Sequence, residues 1–145
     1  MAITREEVAQ AMHGWVEAFN ARDVARVWAM EGGGVGYGYR TRAPRAVTAS
    51  DDAEFKRWSA RFFETFESRR MELEILETDV AGDLGLAWGT YVETFQQKGF
   101  APEQARVRFS QVMSRDESGW RVVMFHRDIQ PFDERGVYPR SLTTL

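Results

Sequence analysis

Toward the C-terminal end of the chain, four side chains have the types and spacing for acid–base chemistry. Arg108 and Ser110 stand two residues apart in one alternating run, and His126 and Asp128 two apart in the next. The turn Asp116-Glu117-Ser118-Gly119 separates the runs, which read as an antiparallel hairpin. Residues i and i+2 of a strand share a face. The pattern places Arg108, Ser110 and His126 inward among large apolar side chains, with Phe109 outward and His126 in phase with Trp120, Val122 and Met124. A guanidinium is a planar fork of donors suited to a carboxylate, phosphate or enolate oxygen. An imidazole titrates near neutral pH and can carry a proton. Asp128 can orient His126 or pair with Arg108. The expected catalytic set is therefore His126, Arg108 and Asp128. Each has a plainer reading. Arg108 can be half of an internal ion pair with Asp128 or Glu93, His126 a core imidazole with both nitrogens satisfied, and Asp128 a solvated charge.

The expected substrate contacts are Trp15, Tyr37, Tyr39, Trp58, Tyr91 and Ser110. Tyr37 and Tyr39 share a face of a short alternating run and would close a cavity with their hydroxyls. Tyr91 shares a face with Glu93, so Trp88 points the other way. We place Tyr91 toward the cavity and Trp88 toward a partner subunit, a parity that one bulge inverts. Trp15, Phe19, Trp58 and Phe62 lie on helix faces over the sheet, where Phe19 and Phe62 read as core. The glycine run from Gly32 follows a helix and precedes a strand, the wrong context for a phosphate loop. Two distant histidines and no cysteine argue against zinc, and no nucleophile elbow is present. Arg69-Arg70 is too short for a nucleic-acid patch.

The elements that would position these groups can be read in order. Thr4 and Glu7 have capping-box spacing, and Val8, Met12, Trp15 and Phe19 follow at helical intervals. Asp23 can cap a short second helix with Val27 and Trp28. A third helix from Ser50 would carry Phe55, Trp58, Phe62 and Phe66. A strand beginning near Arg70 carries Met71, Leu73 and Ile75, and Ala81-Gly82-Asp83 turns it into a strand over 84–97. Strands over 105–115 and 120–129 complete the hairpin, and the tail over 130–145 reads as irregular. Helices first and strands last imply an α+β layer, with a pocket domain over 1–129.

The totals agree with one domain of 145 residues, long enough to bury roughly 68–70% of its unfolded surface. Aromatic residues make up 13% of the chain, a load that a cavity or interface must share with the core. A net charge of −3 argues against bulk attraction to nucleic acid. The absence of cysteine fits a reducing compartment, and no apolar run is long enough to span a membrane. A cytoplasmic protein is expected.

The residues Trp15 to Asp23, Gly82-Asp83, Arg108-Phe109-Ser110, Gly119-Trp120 and His126 resemble those of a known family. The chain is similar to the SnoaL-like and ketosteroid-isomerase-like proteins of the nuclear-transport-factor-two superfamily, from Glu6 to Asp128. Its last hairpin also resembles the association domain of calcium/calmodulin-dependent kinases. The resemblance implies a cystatin-like α+β barrel, a cone-shaped curved antiparallel sheet wrapped around three N-terminal helices. It further implies a deep pocket and a homodimer through the outer sheet face. Steroid-isomerase chemistry would need a helix tyrosine where Trp15 stands, a base near Tyr39, and an acid near Ser110 or Gln111. The activities implied are a metal-free, cofactor-free isomerase, cyclase or hydratase (a lyase) acting on an aromatic or polyketide-like compound with a carbonyl or anionic group. The alternative is a non-catalytic dimerisation or accessory domain.

Overall fold

The computed structural model describes residues 2–31 and 63–130. Tyr37, Tyr39, Trp58, the short strand expected around the two tyrosines, most of the expected third helix and the tail over 131–145 lie outside them. The order is helix α1 (Arg5–Asn20), helix α2 (Val24–Glu31), then strands β1 (Phe66–Ala81), β2 (Leu84–Gln97), β3 (Glu103–Asp116) and β4 (Gly119–Gln130). The strands form one curved antiparallel sheet in the order β1-β2-β3-β4, an α+β, cystatin-like architecture. β1 begins at Phe66, so Phe66 belongs to the sheet and not to a helix, and the strand starts earlier than its alternation suggests.

Local chemistry accounts for the helices. Thr4 and Glu7 form the capping box: the Glu7 amide donates to the Thr4 hydroxyl at 3.2 Å, and the Thr4 amide donates to the Glu7 carboxylate at 2.9 Å. Asp23 accepts from the Arg26 amide at 3.0 Å and so caps α2. The apolar stripe Val8, Met12, Trp15 and Phe19 is buried against the sheet, and His13 is exposed. Gly85 makes room for this packing. A β-carbon there would sit 2.5 Å from a methyl of Val8.

The corner between the helices ties them to β1. Asn20 uses its amide like a strand backbone, donating to the Met71 carbonyl at 2.9 Å and accepting from the Met71 amide at 2.7 Å. Arg22, at φ 55, donates to the carbonyls of Phe66 and Glu67 at 2.9 and 2.7 Å.

Three register irregularities interrupt the pairing: Phe66/Ser68 and Leu73/Ile75 between β1 and β2, and Val112/Met113 between β3 and β4. Gly89 faces the second of them at φ 154, and a β-carbon on it would lie 1.9 Å from the Ile75 carbonyl oxygen. Only glycine lets the bulged backbone come this close.

Replacing Asn20 with Leu removes two hydrogen bonds and strands two backbone groups of Met71. The expected loss is about 2–4 kcal/mol, read as a lower urea midpoint at unchanged slope. A loss below about 0.5 kcal/mol would show that Met71 pairs adequately without Asn20.

Candidate functional site: the helix-covered face of the sheet

The residues that face the helices follow a strict alternation between bulges. On β2 they are Gly85, Ala87, Tyr91, Glu93 and Phe95, and on β3 Ala105, Val107, Phe109, Gln111 and Met113. This face is apolar apart from a few polar side chains, of which Arg69, Glu93 and Gln111 are buried. Glu93 is 0% exposed and pairs with Arg69, itself buried. Arg127 of β4 donates to the other Glu93 oxygen and to the Tyr91 hydroxyl, both at 3.4 Å. The Arg69 guanidinium also lies over the rings of Phe19 and Phe66, at 4.6 and 5.0 Å from their centroids. Burial pushes the Arg69 guanidinium down from its ordinary value, and the Glu93 charge opposes the shift. Burial pushes the Tyr91 phenol up, against the opposing pull of Arg127, so Tyr91 is a neutral hydroxyl at physiological pH.

A second polar group lies under the helices. The Trp15 indole donates to the buried Glu31 carboxylate at 2.6 Å. Its ring lies 5.8 Å from Phe19 and 5.6 Å from Phe125. Phe125 is the cross-strand partner of Gln111, which is 1% exposed. Tyr91 stacks obliquely on Phe109, with 5.7 Å between ring centres. Aromatic side chains with two carboxylates, a phenol, a carboxamide and two guanidiniums are chemically able to hold an organic ligand by its apolar body and its oxygen atoms.

The expected catalytic set is assembled, but on the opposite face. Arg108 is exposed and grips Asp128 through two hydrogen bonds of 2.5 and 3.2 Å, with side-chain exposures of 66% and 37%. His126 is exposed, and Ser110 is its cross-strand partner on this outer face. The inward orientation expected for Arg108, Ser110 and His126 is corrected on two counts. On β3 the buried phase is that of Phe109, which is 2% exposed, so its neighbours Arg108 and Ser110 must point outward. On β4 the bulge inserts one residue: Met113 pairs with Val122 but Val112 pairs with Met124. Trp120 and Val122 therefore face inward while Met124 and His126 face outward. The Arg108 hydrogen bond holds the Asp128 carboxyl below its ordinary value, with a smaller contribution from His126. Of the expected substrate contacts, Trp15 and Tyr91 are on the covered face and Ser110 is not, while Tyr37, Tyr39 and Trp58 lie outside the described residues. Trp88 points outward and is 42% exposed.

Sequence reasoning passed over Arg69, Arg127, Gln111 and Glu31 as site residues. Their signal is a polar side chain in phase with an apolar alternation: Gln111 between Phe109 and Met113, Arg69 before Met71 and Leu73. Glu31 has no such signal, because it reads simply as the end of a helix. Among the described residues no cluster of histidine and acidic side chains is arranged to hold a metal ion, and no helix is long and apolar enough to cross a membrane.

The family model for the SnoaL-like domain matches residues 8–128. The chain belongs to the SnoaL-like family. Solved structures of the same fold include a nuclear transport factor 2-like superfamily protein from Salmonella enterica serovar Typhimurium. It is 16% identical, with a TM-score of 0.70 over 92% of this chain and 96% of that one. The calcium/calmodulin-dependent kinase II hub of S. rosetta is 17% identical, with a TM-score of 0.64 over 89% and 98%. A Streptomyces avermitilis protein provisionally assigned as a dehydratase of the NTF2-like family is 16% identical, with a TM-score of 0.64 over 85% and 93%. No curated protein matches this SnoaL-like chain.

Removing one partner of a buried ion pair costs about 3–5 kcal/mol, so Glu93→Gln should lower stability by that amount in urea unfolding; a change under 1 kcal/mol would mean Arg69 does not depend on Glu93. On the outer face, Arg106 holds Glu74 below its ordinary value of 4.5, as Arg108 holds Asp128 below 3.8. A depressed folded value stabilises the protein above the unfolded value and is lost as pH falls through the folded one. Unfolding measured from pH 7 to pH 2 should therefore show stability falling below about pH 4.5, less steeply in Glu74→Gln/Asp128→Asn. Equal slopes would remove these pairs as a source of acid sensitivity.

Proposed function

We propose that the chain is a small-molecule-binding SnoaL-like protein whose ligand, an aromatic or polyketide-like carbonyl compound, sits between the helices and the covered face of the sheet. The observation that carries this reading is the set of polar side chains Tyr91, Glu93 and Gln111, all buried, with the half-buried Arg127, on a face otherwise lined by apolar side chains. Burying polar groups is unfavourable, and an apolar core of the same shape would be as stable or more so. Their grouping beside Trp15, Phe109 and Phe125 fits an oxygen-bearing aromatic ligand. Tyr91 keeps its proton and accepts from Arg127, so its own O–H is a donor to a ligand carbonyl. Should the site be catalytic, Tyr91 polarises that carbonyl in a metal-free isomerase, cyclase or hydratase step, and the carboxylates of Glu31 and Glu93 are the candidates for moving a proton. The outward placement of His126, Arg108 and Asp128 takes away the support for a proton shuttle from those three residues.

Calorimetric titration with a panel of aromatic ketones, esters and amides tests the reading. A binder should lose about tenfold in affinity in Tyr91→Phe, which keeps the ring and deletes the hydroxyl. A panel without any binder, or a binder indifferent to Tyr91→Phe and Trp15→Ala, would sink it.

A second reading, an assembly domain, is favoured by the outer face. Ile75, Trp88 and Met124 are 54%, 42% and 46% exposed there, flanked by the Glu74–Arg106 and Arg108–Asp128 pairs. Under it the chain sediments as a homodimer, and Trp88→Glu yields a folded monomer. Sedimentation unchanged by Trp88→Glu would remove Trp88 from any interface.

A further inference from the structure

Gln111 differs from the other polar residues of the covered face. Arg69, Glu93, Arg127 and Tyr91 are linked to one another by hydrogen bonds, whereas neither the Oε1 nor the Nε2 of Gln111 has a hydrogen-bond partner, and the residue is 1% exposed. A buried, unpaired polar group costs about 1–3 kcal/mol, and here both ends of one amide are unpaired. The backbone explains the enclosure. Gln111 sits mid-strand in β3 between Ala87 of β2 and Phe125 of β4, in phase with Phe109 and Met113. On the same face Trp15 of α1 packs on Phe125, the cross-strand partner of Gln111, and hydrogen-bonds Glu31. Leucine would fill the same strand position without an unpaired group, so the amide is an energetic liability in the ligand-free fold.

We propose that Gln111 is the specificity-determining anchor of this pocket and selects a neutral ligand that presents a hydrogen-bond acceptor and a donor on one edge, as a carboxamide, a lactam or a hydroxy-carbonyl compound does. The proposal rests on the covered face being the ligand site. A carboxamide side chain offers a donor and an acceptor side by side. A ligand edge with the complementary pair satisfies both atoms at once. A ketone or ester satisfies only Nε2. A carboxylate sets two acceptors against it and leaves Oε1 facing a negative charge. A site with a buried group that goes unpaired rejects the imperfect ligand more strongly than a solvated one, because water cannot make good the missing bond. The amide atoms expose no appreciable surface in this conformation, so a ligand reaches them by displacing the side chains that cover them.

The test uses three probes of one shape: 2-naphthamide, methyl 2-naphthoate and 2-naphthoate, titrated by calorimetry into the full chain. The amide should bind at least about tenfold more tightly than the ester or the carboxylate, the equivalent of the one further hydrogen bond that it makes to Oε1. Gln111→Leu and Gln111→Met should bind amide and ester within about threefold of each other, with a melting temperature equal to or above that of the parent. Equal affinity of the parent for amide and ester overturns the proposal, as does a preference that survives in both variants. A melting temperature several degrees lower in both variants also overturns it, since Gln111 would then be structurally satisfied. Binding of the ester or carboxylate without amide preference leaves the pocket standing and removes only the role of Gln111. Binding of none of the three removes the pocket and the proposal together.

Discussion

Every strand of this sheet has one face against the helices and one away from them, and a residue can reach only one of the two. The allocation is made by alternation and reset wherever an extra residue enters. β1 is reset between Leu73 and Ile75, which sends Glu74 and Ile75 outward together and returns Leu76, Thr78 and Val80 to the covered side. β4 is reset at Val123, which sends His126 outward. β2 and β3 pair without interruption, so their phase is the reference for the others. The chemistry available inside, and the charges displayed outside, both follow from these insertions. Gly89 is the residue that lets the β1 insertion exist without a clash.

Inside, the central electrostatic fact is a carboxylate with no solvent access. Glu93 is held by Arg69 and Arg127, and Arg69 is in turn packed between aromatic rings. Such an arrangement is not favourable simply because the charges are opposite. Desolvation offsets most of the attraction, and good geometry with every oxygen engaged is what makes it tolerable. Arg127 joins this pair to the Tyr91 hydroxyl, so the phenol is oriented by a charge while burial keeps it protonated. The outer face solves its electrostatics differently. There Arg106–Glu74 and Arg108–Asp128 are exposed pairs of small energetic weight, set between Ile75, Trp88 and Met124.

Much of this architecture was legible from residue order. The capping box, the Asp23 cap, the turn at Gly82 and the strand over 84–97 are local features with local causes, and they form where their residues predict. The Asn20 corner was visible as a family pattern, though not its backbone-like pairing with Met71. The site was less legible. Tyr91 and Trp15 lie where alternation and helical spacing place them. Arg108, Ser110 and His126 do not: the apolar phase of β3 is that of Ala105, Val107, Phe109 and Met113, which leaves Arg108 and Ser110 outward, and the bulge in β4 turns His126 outward as well. Gln111 was recognisable only as a lone polar residue in an apolar phase.

The sequence by itself determined the helices, the turns, the lengths of the later strands and the alternation along each of them, since these depend on contacts within a few residues. Only the tertiary structure decided where that alternation is reset, and so which residues of β1 and β4 meet the helices, because a bulge depends on how a strand registers with its neighbour. The bulge at Val123 is decided at the same level: it arises from matching β4 to β3, and no residue of β4 announces it. The same holds for the buried charges. Arg69, Glu93 and Arg127 come from three different strands, and only the registered sheet brings their charges close enough to compensate for the water they have lost.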